Sequence, residues 1–157
     1  MTRILTNPVE RTRFLKFALV GAAGTLVDFG VFNLLNLALH VHPVVASVLS
    51  FSTAVVSNFL GNRYWTYPDS RSKAIHHQMV QFALVNFVGL LIRTPIFAGL
   101  EHPLGLLFAG LGVRAKTADS LGHNGALAVA IGIVMLWNFF ANRHWTYNDI
   151  DEPDDVD

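Results

Sequence analysis

Of the 157 residues, 52% are hydrophobic and only 14% charged, well below the soluble average of about 25% charged, so the composition is that of a membrane protein. Eleven basic and eleven acidic residues leave no net charge with which to hold a nucleic acid. The absence of cysteine excludes disulfides, thiol catalysis and thiolate metal sites.

Four apolar runs are long enough to cross a bilayer, for which about 20 residues suffice. After a polar N-terminus at 1–13 they run from Phe14 to Leu39, Val44 to Tyr64, Met79 to Leu100 and Leu121 to His144. The first resembles a signal peptide, because Arg11, Arg13 and Lys16 precede an apolar stretch containing "GAAG". It continues past Asp28 through "FGVFNLLNLAL", too long for a signal, and a related run recurs at Phe82. The expected fold is therefore all-α and integral to the membrane, with four transmembrane helices. Basic residues collect at the N-terminus, in the loop holding Arg63, Arg71 and Lys73, and after the last span at Arg143. The positive-inside rule then puts both termini in the cytoplasm. The acidic tail at 148–157 is apolar-poor and expected to be disordered.

The chain repeats itself. "NFLGNRYWTY" (58–67) and "NFFANRHWTY" (138–147) share seven of ten positions, and "FALVGAAGTLVDFGVF" from Phe17 aligns with "FALVNFVGLLIRTPIF" from Phe82. This is a duplicated helical hairpin, with one repeat over about 14–67 and the other over about 79–147. The second carries an insertion at about 101–120, whose apolar part, Leu104 to Val113, is too short to cross and is expected to be re-entrant or interfacial. Two crossings per hairpin make the repeats parallel, so aligned residues share a depth. Asp28 and Arg93 align and carry opposite charge, about 21 Å along their helices at 1.5 Å per residue. Two readings stand: an ion pair that only fixes packing, or a polar path in which Arg93 exchanges its carboxylate for a ligand phosphate.

In helical geometry Asn58 and Asn62 share a face, as do Asn138 and Asn142, with Arg63 and Arg143 following where the helices leave the hydrocarbon. Four amides and two guanidiniums suit an anionic headgroup bearing hydroxyls, and Trp65 and Trp145 could stack on a sugar. Against this, the aromatics could be an interfacial belt and the asparagines interhelical packing glue. Lys116, with Arg114, could meet a headgroup at the outer side or simply anchor the insertion. The seven histidines show no metal-ligand spacing, no cofactor motif appears, and the loops are too short for an active-site domain, so the chain does not read as an enzyme.

The leading "RFLKFALVGAAGTLVDF" and the two helix endings resemble the GtrA-like family of small bacterial membrane proteins, over about Phe14 to Tyr147. The resemblance implies a bacterial inner-membrane protein that moves polyprenyl-phosphate-linked sugars to the outer leaflet, where membrane glycosyltransferases use them on surface polysaccharides. It also implies importance for an arginine in helix 3, matched by Arg93, and for the asparagines closing helices 2 and 4. His144 stands where the first repeat has Tyr64. Such a flippase has no ATP site and would run on the lipid's own gradient or on protons through Asp28. Four helices make a thin wall, so a homo-oligomer is compatible with the sequence. Two competing functions are a small multidrug-type exporter using Asp28 and a non-transporting anchor for a glycosyltransferase.

Overall fold

A computed structural model describes residues 7–150. Every regular element among them is helical: α1 (Pro8–Asn33), α2 (Pro43–Gly61), α3 (Ile75–Gly110) and α4 (Ala115–Ala141). Three helices end in a five-residue π-helical turn, Leu34–Ala38 after α1, Asn62–Thr66 after α2 and Asn142–Thr146 after α4. With these turns included, all four are long and apolar enough to cross a membrane, and the protein is an all-α integral membrane protein.

The starts and turns follow from local chemistry. At α1, the Asn7 side chain accepts from Val9 N at 2.9 Å and Pro8 occupies the first turn, where its missing N–H costs nothing. Pro43 opens α2 in the same way, after His42 accepts weakly from Val44 N at 3.4 Å. The reversal between α3 and α4 passes through Gly112 at φ 84°, which a side chain would strain.

The described residues form two compact units, one of residues up to Phe82 with those from His144 on, the other Ala83–Arg143. In the first, α1 and α2 pack closely enough that a Cβ on Gly61 would come within 2.9 Å of Val20 Cγ1. Phe59 and Phe82, both buried, add a tilted ring pair at 5.8 Å. In the second, α3 and α4 meet through small residues. Ala118, Gly122, Ala126 and Ala130, one turn apart on α4, are all buried, and a Cβ at Gly122 would lie 2.5 Å from Gly105 N. Such stripes let backbones approach where lipid gives no hydrophobic drive for helix association. The apolar side chains mostly face outward: Leu26, Phe29, Leu37, Val80 and Leu91 are exposed, while Ser50, Asn62, Thr66, Gln78 and Thr146 are buried. This inside-out distribution fits a chain whose solvent is hydrocarbon.

Two expectations change. Leu104 to Val113 is no separate re-entrant segment, because α3 runs unbroken to Gly110 through Pro95 and Pro103, and α4 already begins at Ala115. The insertion lengthens the hairpin instead; the contact of Gly105 with Gly122 allows the extra turns to pack backbone to backbone. The acidic tail is ordered at its start, where Ile150 is buried and Asp149 is bound in a hydrogen-bond network. Its remainder, 151–157, and the N-terminal residues 1–6 lie outside the described residues.

Candidate functional site

The first unit concentrates its polar groups where α2 ends. Within the π turn, Thr66 Oγ1 donates to Asn62 Oδ1 at 2.9 Å, and both residues are buried. Arg63 is 7% exposed. Its Nη1 donates to Gln78 Oε1, while its buried Nε has no hydrogen-bond partner. No carboxylate pairs with this guanidinium among the described residues. Burying a cation costs several kcal/mol per ion unless it is paired, so the arrangement favours an incoming anion.

Tyr67 and Tyr147, the last residues of the repeated decamers, stack at 4.4 Å with their planes 21° apart, and both are fully buried. Tyr147 Oη has no hydrogen-bond partner. Burial pushes its phenol well above the ordinary tyrosine range; Tyr67 adds to the shift and the Arg63 charge opposes it. Tyr147 therefore stays a neutral donor beside Arg63.

Gln78 links this core to the chain end. Its Nε2 donates to Ser70 Oγ at 2.7 Å and more weakly to Asp149 Oδ1 at 3.5 Å. The Asp149 carboxylate also accepts from Ser70 Oγ, from Ser72 Oγ at 2.7 Å and from Ser72 N at 3.0 Å. Partial burial pushes the Asp149 carboxyl up, but hydrogen bonds from the Ser70 and Ser72 hydroxyls and from the backbone N–H groups of Asp149 and Lys73 together outweigh it and hold it below the usual carboxylate range. A carboxyl depressed in the folded state stabilises the protein above its unfolded pKa of about 3.9, and that contribution disappears as pH falls through the lower folded value. Asp149→Asn should therefore lower the melting temperature at pH 7. The gap between variant and parent, followed by thermal unfolding in detergent, should close as pH falls below about 4.

The asparagines take a different role from the one their spacing suggests. Gly24 of α1 faces Asn58 so closely that a Cβ there would lie 2.1 Å from Asn58 Oδ1. In the second unit Gly89 faces Asn138 in the same way, at 2.9 Å from Oδ1. In each hairpin the aligned glycine of the first helix receives the aligned asparagine of the second. Both Oδ1 atoms are buried without a hydrogen-bond partner. Asn138 Nδ2 reaches Asn86 Oδ1 at 3.5 Å, and the buried Asn142 donates through Nδ2 to Asn138 O at 2.8 Å. Gly24→Ala should cost roughly 1–3 kcal/mol by overpacking, read as a drop in melting temperature. Gly24→Ala combined with Asn58→Ala should recover most of that loss, because the clash is with a side chain and Asn58 Oδ1 loses no bond; a double variant no more stable than Gly24→Ala alone would contradict this.

The remaining expected site residues are placed as follows. Asp28 is half-buried on α1 in the first unit, whereas Arg93 is exposed on α3 in the second, two residues before Pro95. Arg143 is half-buried at the second π turn, and Lys116 is exposed in the first turn of α4. Trp65 and Trp145 are about half exposed, 48% and 45%. Their carbonyls, not their rings, are what recur in contacts: Lys16 Nζ donates to Trp65 O at 3.3 Å and Lys73 Nζ to Trp145 O at 2.8 Å. No group of three or more His, Asp or Glu among the described residues is placed to hold a metal ion.

Several participants escaped the sequence reading, among them Gln78, Ser70, Lys73, Asp149 and the tyrosine stack. A signal was present, since the repeat extends two residues past the decamers as Tyr67-Pro68-Asp69 and Tyr147-Asn148-Asp149. Asp69 accepts from Arg13 Nη2 at 2.7 Å, a counterpart in the first repeat to the Gln78–Asp149 contact.

Comparison with known proteins agrees with this architecture. The chain is 33% identical over 134 residues to the membrane protein YngA of Bacillus subtilis strain 168, covering 85% of this chain and 78% of that one. It is also 26% identical over 145 residues to a dolichol-phosphate mannosyltransferase of Pyrococcus furiosus, of which it spans 36% of the length while 92% of this chain is covered. The GtrA/DPMS transmembrane domain profile matches residues 16–147. The chain belongs to the GtrA/DPMS transmembrane domain family.

Proposed function

We propose that the protein translocates a polyprenyl-phosphate-linked monosaccharide from the cytoplasmic to the outer leaflet of the bacterial inner membrane, supplying membrane glycosyltransferases that modify surface polysaccharide. The observation that carries this reading is the buried Arg63 guanidinium, which has no carboxylate partner among the described residues and an unpartnered Nε. A phosphate would satisfy it, because Arg donates in a fork that matches phosphate oxygens. Membership of a family that shares its transmembrane domain with a dolichol-phosphate mannosyltransferase supports a lipid-linked sugar as the bearer of that phosphate.

On this reading both termini face the cytoplasm, and Arg63, with Asn62, receives the headgroup on that side. Asn58 and Asn138 mainly set how closely each hairpin closes. Arg93 takes the phosphate deeper in the membrane. The polyprenyl tail stays in lipid against the exposed Leu and Phe side chains. The protein rearranges no covalent bonds and acts as a carrier rather than an enzyme.

A second reading is favoured by one specific observation, the match to part of a mannosyltransferase. The domain would then hold a glycosyltransferase at the membrane and present the lipid to it without transport. Native mass spectrometry of detergent-purified protein tests what both readings share. Protein incubated with undecaprenyl-phosphoryl glucose should retain it, and Arg63→Gln should retain about tenfold less, given about 1.5–3 kcal/mol for a charge-assisted contact. Retention of bulk phospholipid alone, with Arg63→Gln unchanged, would count against both.

A further inference from the structure

Near Trp65 the first unit holds a cavity of about 360 Å³, lined by Val9, Thr12, Arg13 and Lys16 of α1 and by Thr66, Pro68 and Asp69 after α2. Its two cations are differently committed. Arg13 is held by two carboxylates, Glu10 at 2.8 Å and Asp69 at 2.7 Å. Lys16 faces the Trp65 carbonyl at 3.3 Å and the Trp65 ring at 5.7 Å, with no carboxylate among the described residues. The cavity therefore offers one ammonium without a carboxylate, the open side of a carboxylate that is 45% exposed, two threonine oxygens that can still accept, and a neighbouring indole.

The end of the second repeat receives one similar contact. Lys73 donates to the Trp145 carbonyl as Lys16 does to that of Trp65. There, however, the aspartate two residues past the tyrosine is saturated by Ser70, Ser72 and Lys73 N, and Ile150 is buried beside it in sequence. The two aspartates have diverged in what they meet: Asp149 is held by serines of its own chain, while Asp69 meets Arg13 and stays 45% exposed.

We propose that this cavity is a first docking site for the sugar-phosphate headgroup, ahead of Arg63: Lys16 binds the phosphate, Asp69 and the threonine oxygens accept from sugar hydroxyls, and the Trp65 indole flanks the phosphate beside Lys16. The proposal rests on the lipid-linked sugar reading above and adds a site to it. Ammonium–phosphate attraction needs no fixed fork. A carboxylate accepts only, and so selects hydroxyl donors. The volume lies at the low end of small-molecule pockets, about 300–1,000 Å³, which suits one sugar and its phosphate. Ordinary phospholipid headgroups share the phosphate and some hydroxyls, so the two sources must be told apart.

The chain has three tryptophans, so Trp137→Phe with Trp145→Phe leaves Trp65 as a local fluorescent reporter. Undecaprenyl-phosphoryl glucose should quench it at a concentration about tenfold lower than dihexanoyl phosphatidylglycerol does. Lys16→Gln should weaken both lipids about tenfold, Lys16→Arg should restore them, and Asp69→Asn should weaken the sugar lipid alone. Equal quenching by both lipids, indifferent to Asp69→Asn, would overturn the sugar site in favour of a general phospholipid contact. If mass spectrometry finds the sugar lipid bound while Trp65 is silent and Lys16→Gln binds normally, the cavity assignment falls and the proposed function stands. If no sugar lipid is retained at all, both fall.

Discussion

Arg93→Ala should fold and insert normally yet lose translocation of a labelled polyprenyl-phosphoryl sugar by roughly ten- to a hundredfold, the equivalent of about 1.5–3 kcal/mol for a charge-assisted contact. The argument is energetic. An arginine within a transmembrane helix is costly, about 2.5–3.5 kcal/mol at the centre on insertion scales, and Arg93 is exposed on α3, where no packing role accounts for it. Truncation should therefore relieve the fold rather than damage it, and the loss should appear in transport and not in melting temperature. Arg93→Lys should recover part of the rate, since Lys keeps the charge but not the fork. An Arg93→Ala protein that transports at the parental rate would remove Arg93 from the path.

The largest effect on stability should come from Gly122. A Cβ there would stand 2.5 Å from Gly105 N, 2.7 Å from Gly105 Cα and 2.9 Å from Glu101 O. Every one of these atoms is backbone, so no rotamer change can make room, and the two helices must separate along the α4 stripe that includes Ala118 and Ala126. Gly122→Ala should cost about 3 kcal/mol, at the upper end for overpacking, and Gly122→Leu more. Gly99 and Gly132 provide controls in the same two helices. Neither has an atom within 4 Å of an added Cβ, so alanine there should be neutral or slightly stabilising, because it lowers the entropy of the unfolded chain. Thermal unfolding in detergent checks all four variants; a Gly122→Ala melting point equal to that of Gly132→Ala would show that the α3–α4 contact does not limit stability.

The four crossings were legible because the bilayer imposes length and composition together, and long runs such as "FALVGAAGTLVDFGVF" satisfy both. The duplicated decamers likewise announced that α2 and α4 end alike, and both do so in a π turn beginning at the same Asn-Arg pair. Periodicity could place Asn58 on a face but not say what lay opposite it. The aligned pairs Gly24/Gly89 and Asn58/Asn138 were both visible, yet their meeting depends on interhelical register, which a single helix does not encode. That the insertion forms no separate re-entrant segment has a related reason. Leu104 to Val113 is too short to cross alone, but it needs no crossing of its own when α3 simply continues and Gly105 and Gly122 let it pack. Asp149 was hidden by composition: in an acidic, apolar-poor tail, one carboxylate looks like the rest until Ser70 and Ser72 are seen to converge on it.

The network around Arg63 joins these levels. The π turn brings Asn62, Arg63 and Thr66 inward while Tyr64 and Trp65 remain exposed. Gln78 and Tyr147 then enclose the guanidinium without neutralising it. A buried charge left without a carboxylate adds nothing to stability that an apolar residue would not supply better, which is the physical reason for giving it a ligand.

The most direct measurement is translocation in proteoliposomes loaded with fluorescent undecaprenyl-phosphoryl glucose, with the outer-leaflet fraction read by a membrane-impermeant quencher. Purified protein should equilibrate the lipid between leaflets far faster than protein-free liposomes do, without ATP, and a fluorescent phosphatidylglycerol in the same vesicles should stay where it was placed. Equal rates with and without the protein, for a preparation that binds the sugar lipid, would contradict translocation and leave the domain as a membrane anchor that presents the lipid to a glycosyltransferase.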